Sequence, residues 1–158
     1  MCGLLWSLDG LRAVISFNIL LLAVNCGLIY LLASRIVGRP TAFFTGLFIG
    51  FFPSMLLAAI HPWTEQLHLL TLLSAVLLYL NAKVPRFWIG VLLAIGCLVR
   101  FAGIYNAAAL LVAIFVMRGF QKRVFAECAV ILVGFLAIAV PYELFCLLRY
   151  GTLYPEYL

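Results

Sequence analysis

Long apolar runs alternate along this chain with short connectors that carry most of the charged residues. The runs consist of Leu, Ile, Val, Phe and Ala and reach about twenty residues, the length that a helix needs to cross a hydrocarbon core. They are apolar all round, whereas the strands of a membrane β-barrel alternate apolar and polar positions. The pattern therefore predicts an all-α fold, a polytopic bundle of transmembrane helices.

The apolar runs divide into four predicted spans and one predicted helical hairpin. The hairpin falls between two basic connectors, and about thirty residues cannot form a single crossing if both connectors lie on the same side of the membrane. We expect two shorter helices there, with Arg100 at the apex and Gly103 just after it. The spans are Ala13–Leu32, Thr41–Ile60, Leu67–Leu80 and Phe125–Leu148, and the hairpin is Phe87–Met117.

Charge in the connectors predicts the orientation of these segments. Seven of the ten basic residues lie in three connectors, which the positive-inside rule assigns to the cytoplasm: Arg35, Arg39, Lys83, Arg86, Arg118, Lys122 and Arg123. The connector from His61 to Gln66 has no basic residue and is predicted to face outward, as is the segment from Arg149 to Tyr157. Both ends of the chain then lie outside. We expect residues 1–158 to be a single transmembrane domain, an internal part of a longer protein that extends at both ends.

Composition supports this class and excludes others. Hydrophobic residues make up 68% of the chain, charged residues 9%, and the mean hydropathy is +1.26. The net charge is +5, and the basic residues are spread in pairs and threes between the apolar runs. This distribution indicates the orientation of a membrane protein and does not predict a nucleic-acid partner. The five cysteines stand apart, so no metal or disulfide framework is predicted. No cofactor is predicted, and the need for a divalent cation is left open. The chain is expected in a bacterial inner membrane or the endoplasmic reticulum.

Arg100 is the most informative polar residue. A guanidinium inside a membrane-depth segment costs about 2.5 kcal/mol or more, so it requires a partner. One hypothesis is that Arg100 binds an anion, namely a lipid phosphate, through its planar set of donors. The other is that Arg100 forms a structural pair with Glu143, which itself is a candidate site residue near the outer end of the last span.

A second group of candidates lies at the start of the third span. Glu65 is placed to interact with the positive end of that helix, or to contact a substrate at the outer mouth of a cavity. His61 borders the same spot and is a weaker candidate for a substrate contact. Asn18 and Asn25 lie seven residues apart, on one face of the first span, where we expect hydrogen bonds between helices.

The order of three short motifs resembles the type C superfamily of membrane glycosyltransferases. These motifs are Phe52-Pro53 followed by Thr64-Glu65-Gln66-Leu67, Gly90 followed by Leu98-Val99-Arg100-Phe101-Ala102-Gly103, and Pro141-Tyr142 followed by Arg149-Tyr150-Gly151-Thr152. Protein O-mannosyltransferases, lipid A aminoarabinose transferases and GPI mannosyltransferases belong to that superfamily. A weaker likeness runs from Leu11-Arg12-Ala13 to Asn18.

The resemblance implies that a sugar is transferred from a polyprenyl- or dolichyl-phosphate donor to an acceptor on the outer face. It implies that Arg100 stabilises the leaving lipid phosphate and that a catalytic acidic loop precedes this chain. Glu65, Glu143 and His61 stay candidates for substrate contacts on their positions in the sequence. A transporter or channel with a broken helix is an alternative, although the two halves of the sequence show no repeat. A non-catalytic membrane scaffold with an Arg100–Glu143 pair is a further alternative.

Overall fold

The described part of the chain consists of helices joined by short turns. The structure is a computed structural model that describes residues 2–61, 64–81 and 83–151, without the side chains of residues 2–9. These ranges contain no strand and confirm the all-α class. The helices are α1 (Cys2–Ala33), α2 (Arg39–Gly50), α3 (Pro53–Ile60), α4 (Glu65–Tyr79), α5 (Arg86–Val99), α6 (Gly103–Arg118) and α7 (Lys122–Tyr150). They divide into two compact units, Met1–Leu77 and Leu78–Leu158.

In the first unit, α2 and α3 pack against α1, and the predicted second span is broken. Helices α2 and α3 meet at an angle of 54° across Phe51 and Phe52. The break follows from Pro53, which lacks an N–H and restricts the residue before it to an extended conformation. Phe52 has φ −65° and ψ 128°, in agreement with that restriction. The continuous hydropathy of residues 41–60 concealed the bend.

Among the described residues, fewer helices are long and apolar enough to cross a membrane than the four predicted spans. By length and composition two described helical segments qualify, Gly10–Ala33 and Lys122–Tyr150, or three if the bent α2–α3 pair is one span. Helix α4 has 15 residues, about 22 Å at 1.5 Å per residue, which is short of a hydrocarbon core of about 30 Å. The predicted span Leu67–Leu80 is therefore a helix, but too short to meet this criterion.

In the second unit, α5 and α6 form the predicted hairpin of two shorter helices. Helix α5 ends at Val99 and α6 begins at Gly103. Between them, Arg100 has an extended backbone with φ −154° and ψ 130°. Arg86 at the start of α5 and Arg118 at the end of α6 both contact Tyr79 and Glu127, so the first turn of α5 and the last turn of α6 lie together. We call this end the base of the hairpin and the Arg100 turn its apex.

Two glycines allow α5 and α7 to pack backbone against backbone. A Cβ atom at Gly90 would overlap the carbonyl oxygen of Ile131 and lie 2.7 Å from the nitrogen of Phe135. A Cβ atom at Gly134 would overlap the carbonyl oxygen of Phe87. Both glycines are buried. Small residues at such positions permit the close approach that supports helix association where water supplies no hydrophobic driving force.

Candidate functional site

Buried amides of α1 position the connection between α3 and α4. The side chain of Asn18 donates to the carbonyl oxygen of His61 at 2.8 Å, and that of Asn25 donates to the backbone and side-chain oxygens of Gln66 at 2.9 and 3.0 Å. The amide of Gln66 in turn donates to the carbonyl oxygen of Met55 at 3.2 Å. Asn18, Asn25 and Gln66 are all buried. The expected hydrogen bonds from one face of the first span are confirmed.

His61 and Glu65 lie on this connection, at the end of α3 and the start of α4. His61 is exposed, and its Nδ1 atom lies 2.8 Å from the carbonyl oxygen of Leu57. Glu65 is half-buried in the first turn of α4, where the helix dipole stabilises a carboxylate. A substrate contact by either residue stays a prediction. Pro62 and Trp63, between them, lie outside the described residues.

Arg100 is held at the apex of the hairpin by its backbone. Its N–H donates to the carbonyl oxygen of Gly96 at 3.1 Å, and its own carbonyl accepts from the N–H of Gly103 at 2.8 Å. A Cβ atom at position 103 would lie 2.5 Å from the nitrogen of Cys97, so the turn folds back on α5 more closely than any other residue would allow. The Arg100 residue is exposed.

Glu143 lies on α7, half-buried, and its Oε2 atom is enclosed without a hydrogen-bond partner in the described part of the chain. No ion pair joins Arg100 to Glu143 within residues 83–151. The geometry therefore gives no support to a structural pair between them. His61 and Glu65 belong to the first unit, and Arg100 and Glu143 to the second.

The sequence also predicts that His61–Glu65 lies near Arg149–Tyr157 on the outer surface. Residues 152–158 lie outside the described residues, and the two segments belong to different units. This juxtaposition stays a prediction.

A cluster at the base of the hairpin was missed by sequence reasoning. Glu127 on α7 accepts a 2.9 Å hydrogen bond from Arg118 and lies 3.8 Å from Arg86 and 3.7 Å from Arg123. Arg86 also donates to the carbonyl oxygen of Tyr79 at 2.7 Å. The guanidinium carbons of Arg86 and Arg118 lie 4.8 and 5.4 Å from the centre of the Tyr79 ring. The i, i+4 spacing of Arg123 and Glu127 was the one available signal.

Within the described residues, each unit contains a cavity beside these groups. An apolar cavity of about 300 Å³ lies between α1 and α2, beside Cys26, Tyr30, Gly46 and Gly50. A polar cavity of about 390 Å³ lies at the base of the hairpin, lined by Arg118, Gln121, Arg123, Val124 and Glu127. Among the described residues, no three or more His, Cys, Asp or Glu side chains are grouped so as to hold a metal ion.

Comparison of the chain with models of protein families, with curated proteins and with solved structures gives no match. The class is therefore defined by the described residues alone: they contain helices and no strand, and two of the helices, or three spans if the bent α2–α3 pair counts as one, are long and apolar enough to cross a membrane.

Proposed function

We propose that this chain is part of a multi-pass membrane glycosyltransferase that takes its sugar from a polyprenyl-phosphate-linked donor. The observation that carries the proposal is the helix break at Arg100, an exposed residue at the end of an apolar hairpin. The order of the three motifs that resemble type C glycosyltransferases supports the same assignment.

The proposed topology keeps four spans and one hairpin. The spans are α1, the bent α2–α3 pair, α4 and α7, and the hairpin is α5–α6. The meeting of Arg86 and Arg118 at one base supports a segment that enters and leaves on the same side, the cytoplasmic side by the positive-inside rule. Arg100 then lies about 21 Å along the 14-residue helix α5 from that base, towards the outer half of the membrane.

In the proposed reaction an oxygen of the acceptor attacks the anomeric carbon of the donor sugar. The new carbon–oxygen bond forms as the bond between that carbon and the phosphate oxygen breaks, and the electron pair leaves on the lipid phosphate. Arg100 would stabilise the charge that develops there, an electrostatic effect that typically changes rates by about 10²- to 10³-fold per donor. Substrate contacts by Glu65, His61 and Glu143 stay separate predictions, and the general base would come from sequence outside this chain.

Donor binding tests the proposal without requiring turnover by this chain. The probe is a fluorescent polyprenyl-phosphate sugar, titrated against the chain in lipid nanodiscs. We expect Arg100→Ala to weaken binding by at least about tenfold, and Arg100→Lys to recover only part of the affinity, because lysine keeps the charge and loses the planar set of donors. Arg39→Ala, which removes another exposed arginine, is the matched control and should leave the affinity unchanged.

The scaffold hypothesis makes the opposite prediction. If Arg100 pairs with Glu143 for structure alone, Arg100→Ala lowers stability, and the double change with Glu143→Gln restores it, while donor binding stays unchanged. That combination of results would exclude the phosphate role of Arg100.

A further inference from the structure

The polar cavity at the base of the hairpin has the volume of a ligand site and three charged side chains in its lining. We call it the basic cavity; its lining residues are Arg118, Gln121, Arg123, Val124 and Glu127. Its volume of about 390 Å³ falls in the range of small-molecule sites, about 300–1,000 Å³. The side chains of Glu127 and Arg118 are 15% and 45% exposed, so part of the lining is held in place by packing and part faces outward.

Positive charge exceeds negative charge around the basic cavity. Arg86, Arg118 and Arg123 contribute three positive charges and Glu127 one negative charge, which leaves +2. The hydrogen bond from Arg118 to Glu127 uses one of the five N–H donors of the guanidinium. The side chain of Arg123 is 89% exposed, and its Nε atom lies 3.7 Å from Glu127, which is longer than a hydrogen bond. Its donors can therefore reach a ligand without breaking a hydrogen bond.

The start of α7 adds a second, independent feature. The N-cap residue Gln121 makes no side-chain capping bond, and the first turn has no acidic residue. The amides of Lys122 and Arg123 make no backbone hydrogen bond within the described residues. Basic residues at the N-terminus of a helix are disfavoured by the helix dipole, and an anion bound there relieves both the charge and the uncapped amides.

We propose that the basic cavity binds a phosphate group, supplied by the headgroup of an anionic lipid or by free phosphate. Two arginine side chains and the uncapped start of α7 provide the charge-assisted donors that phosphate oxygens accept. The cavity lies at the opposite end of the hairpin from Arg100. The proposal therefore does not depend on the proposed transferase function.

Three probes separate the sources of the phosphate: dihexanoyl phosphatidic acid, dihexanoyl phosphatidylcholine and inorganic phosphate. Each is titrated by calorimetry against the purified chain in a nonionic detergent. We expect phosphatidic acid or inorganic phosphate to bind, and the double variant Arg118→Gln/Arg123→Gln to weaken that binding by at least about tenfold. The double variant Arg35→Gln/Arg39→Gln removes two other exposed arginines and should change it by less than about twofold.

Tighter binding of phosphatidic acid than of inorganic phosphate identifies a lipid headgroup, and equal binding identifies free phosphate; both support the site. The single variant Arg123→Gln guards against loss of the fold, because its exposed side chain contributes little packing, and it should itself weaken binding. The proposal is overturned if neither phosphate binds, if phosphatidylcholine binds as tightly as phosphatidic acid, or if both double variants weaken binding equally.

Discussion

The close packing of α5 on α7 predicts that Gly90→Ala destabilises the protein. The added Cβ atom meets backbone atoms of Ile131 and Phe135, which cannot rotate away as a side chain could. The distance to the nitrogen of Phe135 alone must grow from 2.7 Å to at least the 3.4 Å of ordinary contact, and the overlap with the carbonyl oxygen of Ile131 requires a larger shift than that. Overpacking of this kind costs about 1–3 kcal/mol.

A glycine elsewhere in the chain provides the matched control. Gly27 lies inside α1, and a Cβ atom there would meet nothing within 4 Å. Gly27→Ala should therefore gain the helix propensity of alanine, about 0.8–1.0 kcal/mol. Gly90→Ala gains the same propensity, and because its contacts are with backbone we expect the upper part of the overpacking cost, a net loss of about 2 kcal/mol.

Thermal unfolding in detergent, followed by circular dichroism at 222 nm, measures the difference. One kcal/mol shifts the midpoint by about 2–4 °C in a chain of this size, so Gly90→Ala should lower it by about 4–8 °C and Gly27→Ala should raise it. Gly134→Ala strains the same interface through Phe87, and the double variant should lose less than the sum, because helices already separated accommodate the second methyl group. A midpoint for Gly90→Ala that is unchanged or raised like that of Gly27→Ala would refute the backbone contact.

Three further outcomes are expected. Asn25→Leu should lower the free energy of unfolding by about 1 kcal/mol in the same assay, because it removes a buried donor of two hydrogen bonds. Glu127→Gln should cost about 2–3 kcal/mol, since it leaves the largely buried Arg86 without its carboxylate; Glu127→Asp should retain part of the stability. Cysteines introduced at Lys83 and Lys122, in a chain whose own cysteines are replaced by alanine, should react with an impermeant reagent from the same face of the membrane, and reaction from opposite faces would contradict the hairpin topology.

The local breaks were predictable to different degrees from the sequence. The interruption at Arg100 followed from two basic connectors that flank an apolar segment too long for one crossing. The bend at Pro53 lies in a run whose hydropathy is continuous, so hydropathy predicts an unbroken span from Thr41 to Ile60. Hydropathy predicts burial in lipid, but it carries no information on the backbone geometry within a run.

Partners that are distant in the sequence were less predictable. The position of Asn25 on one face of α1 was readable from its spacing, but Gln66, its partner 41 residues away, was not. The ion pairs of Glu127 were not predictable, because it follows a basic connector whose arginines and lysines indicate only the orientation of the chain. Only the folded hairpin brings Arg86 and Arg118 to the same carboxylate.

Arginine occurs at both ends of the hairpin, and the turn at the apex does not itself require it. At the base, Arg86 and Arg118 interact with the Glu127 carboxylate and the Tyr79 ring, so their charges have a role in packing. At the apex, the turn depends on backbone hydrogen bonds to Gly96 and from Gly103, and an extended φ of −154° is open to any residue. The turn therefore does not require arginine at position 100. A guanidinium is costly in an apolar segment, so its role has to come from the head group, and the comparison of Arg100→Ala with the double change Arg100→Ala/Glu143→Gln decides between a structural role and donor binding.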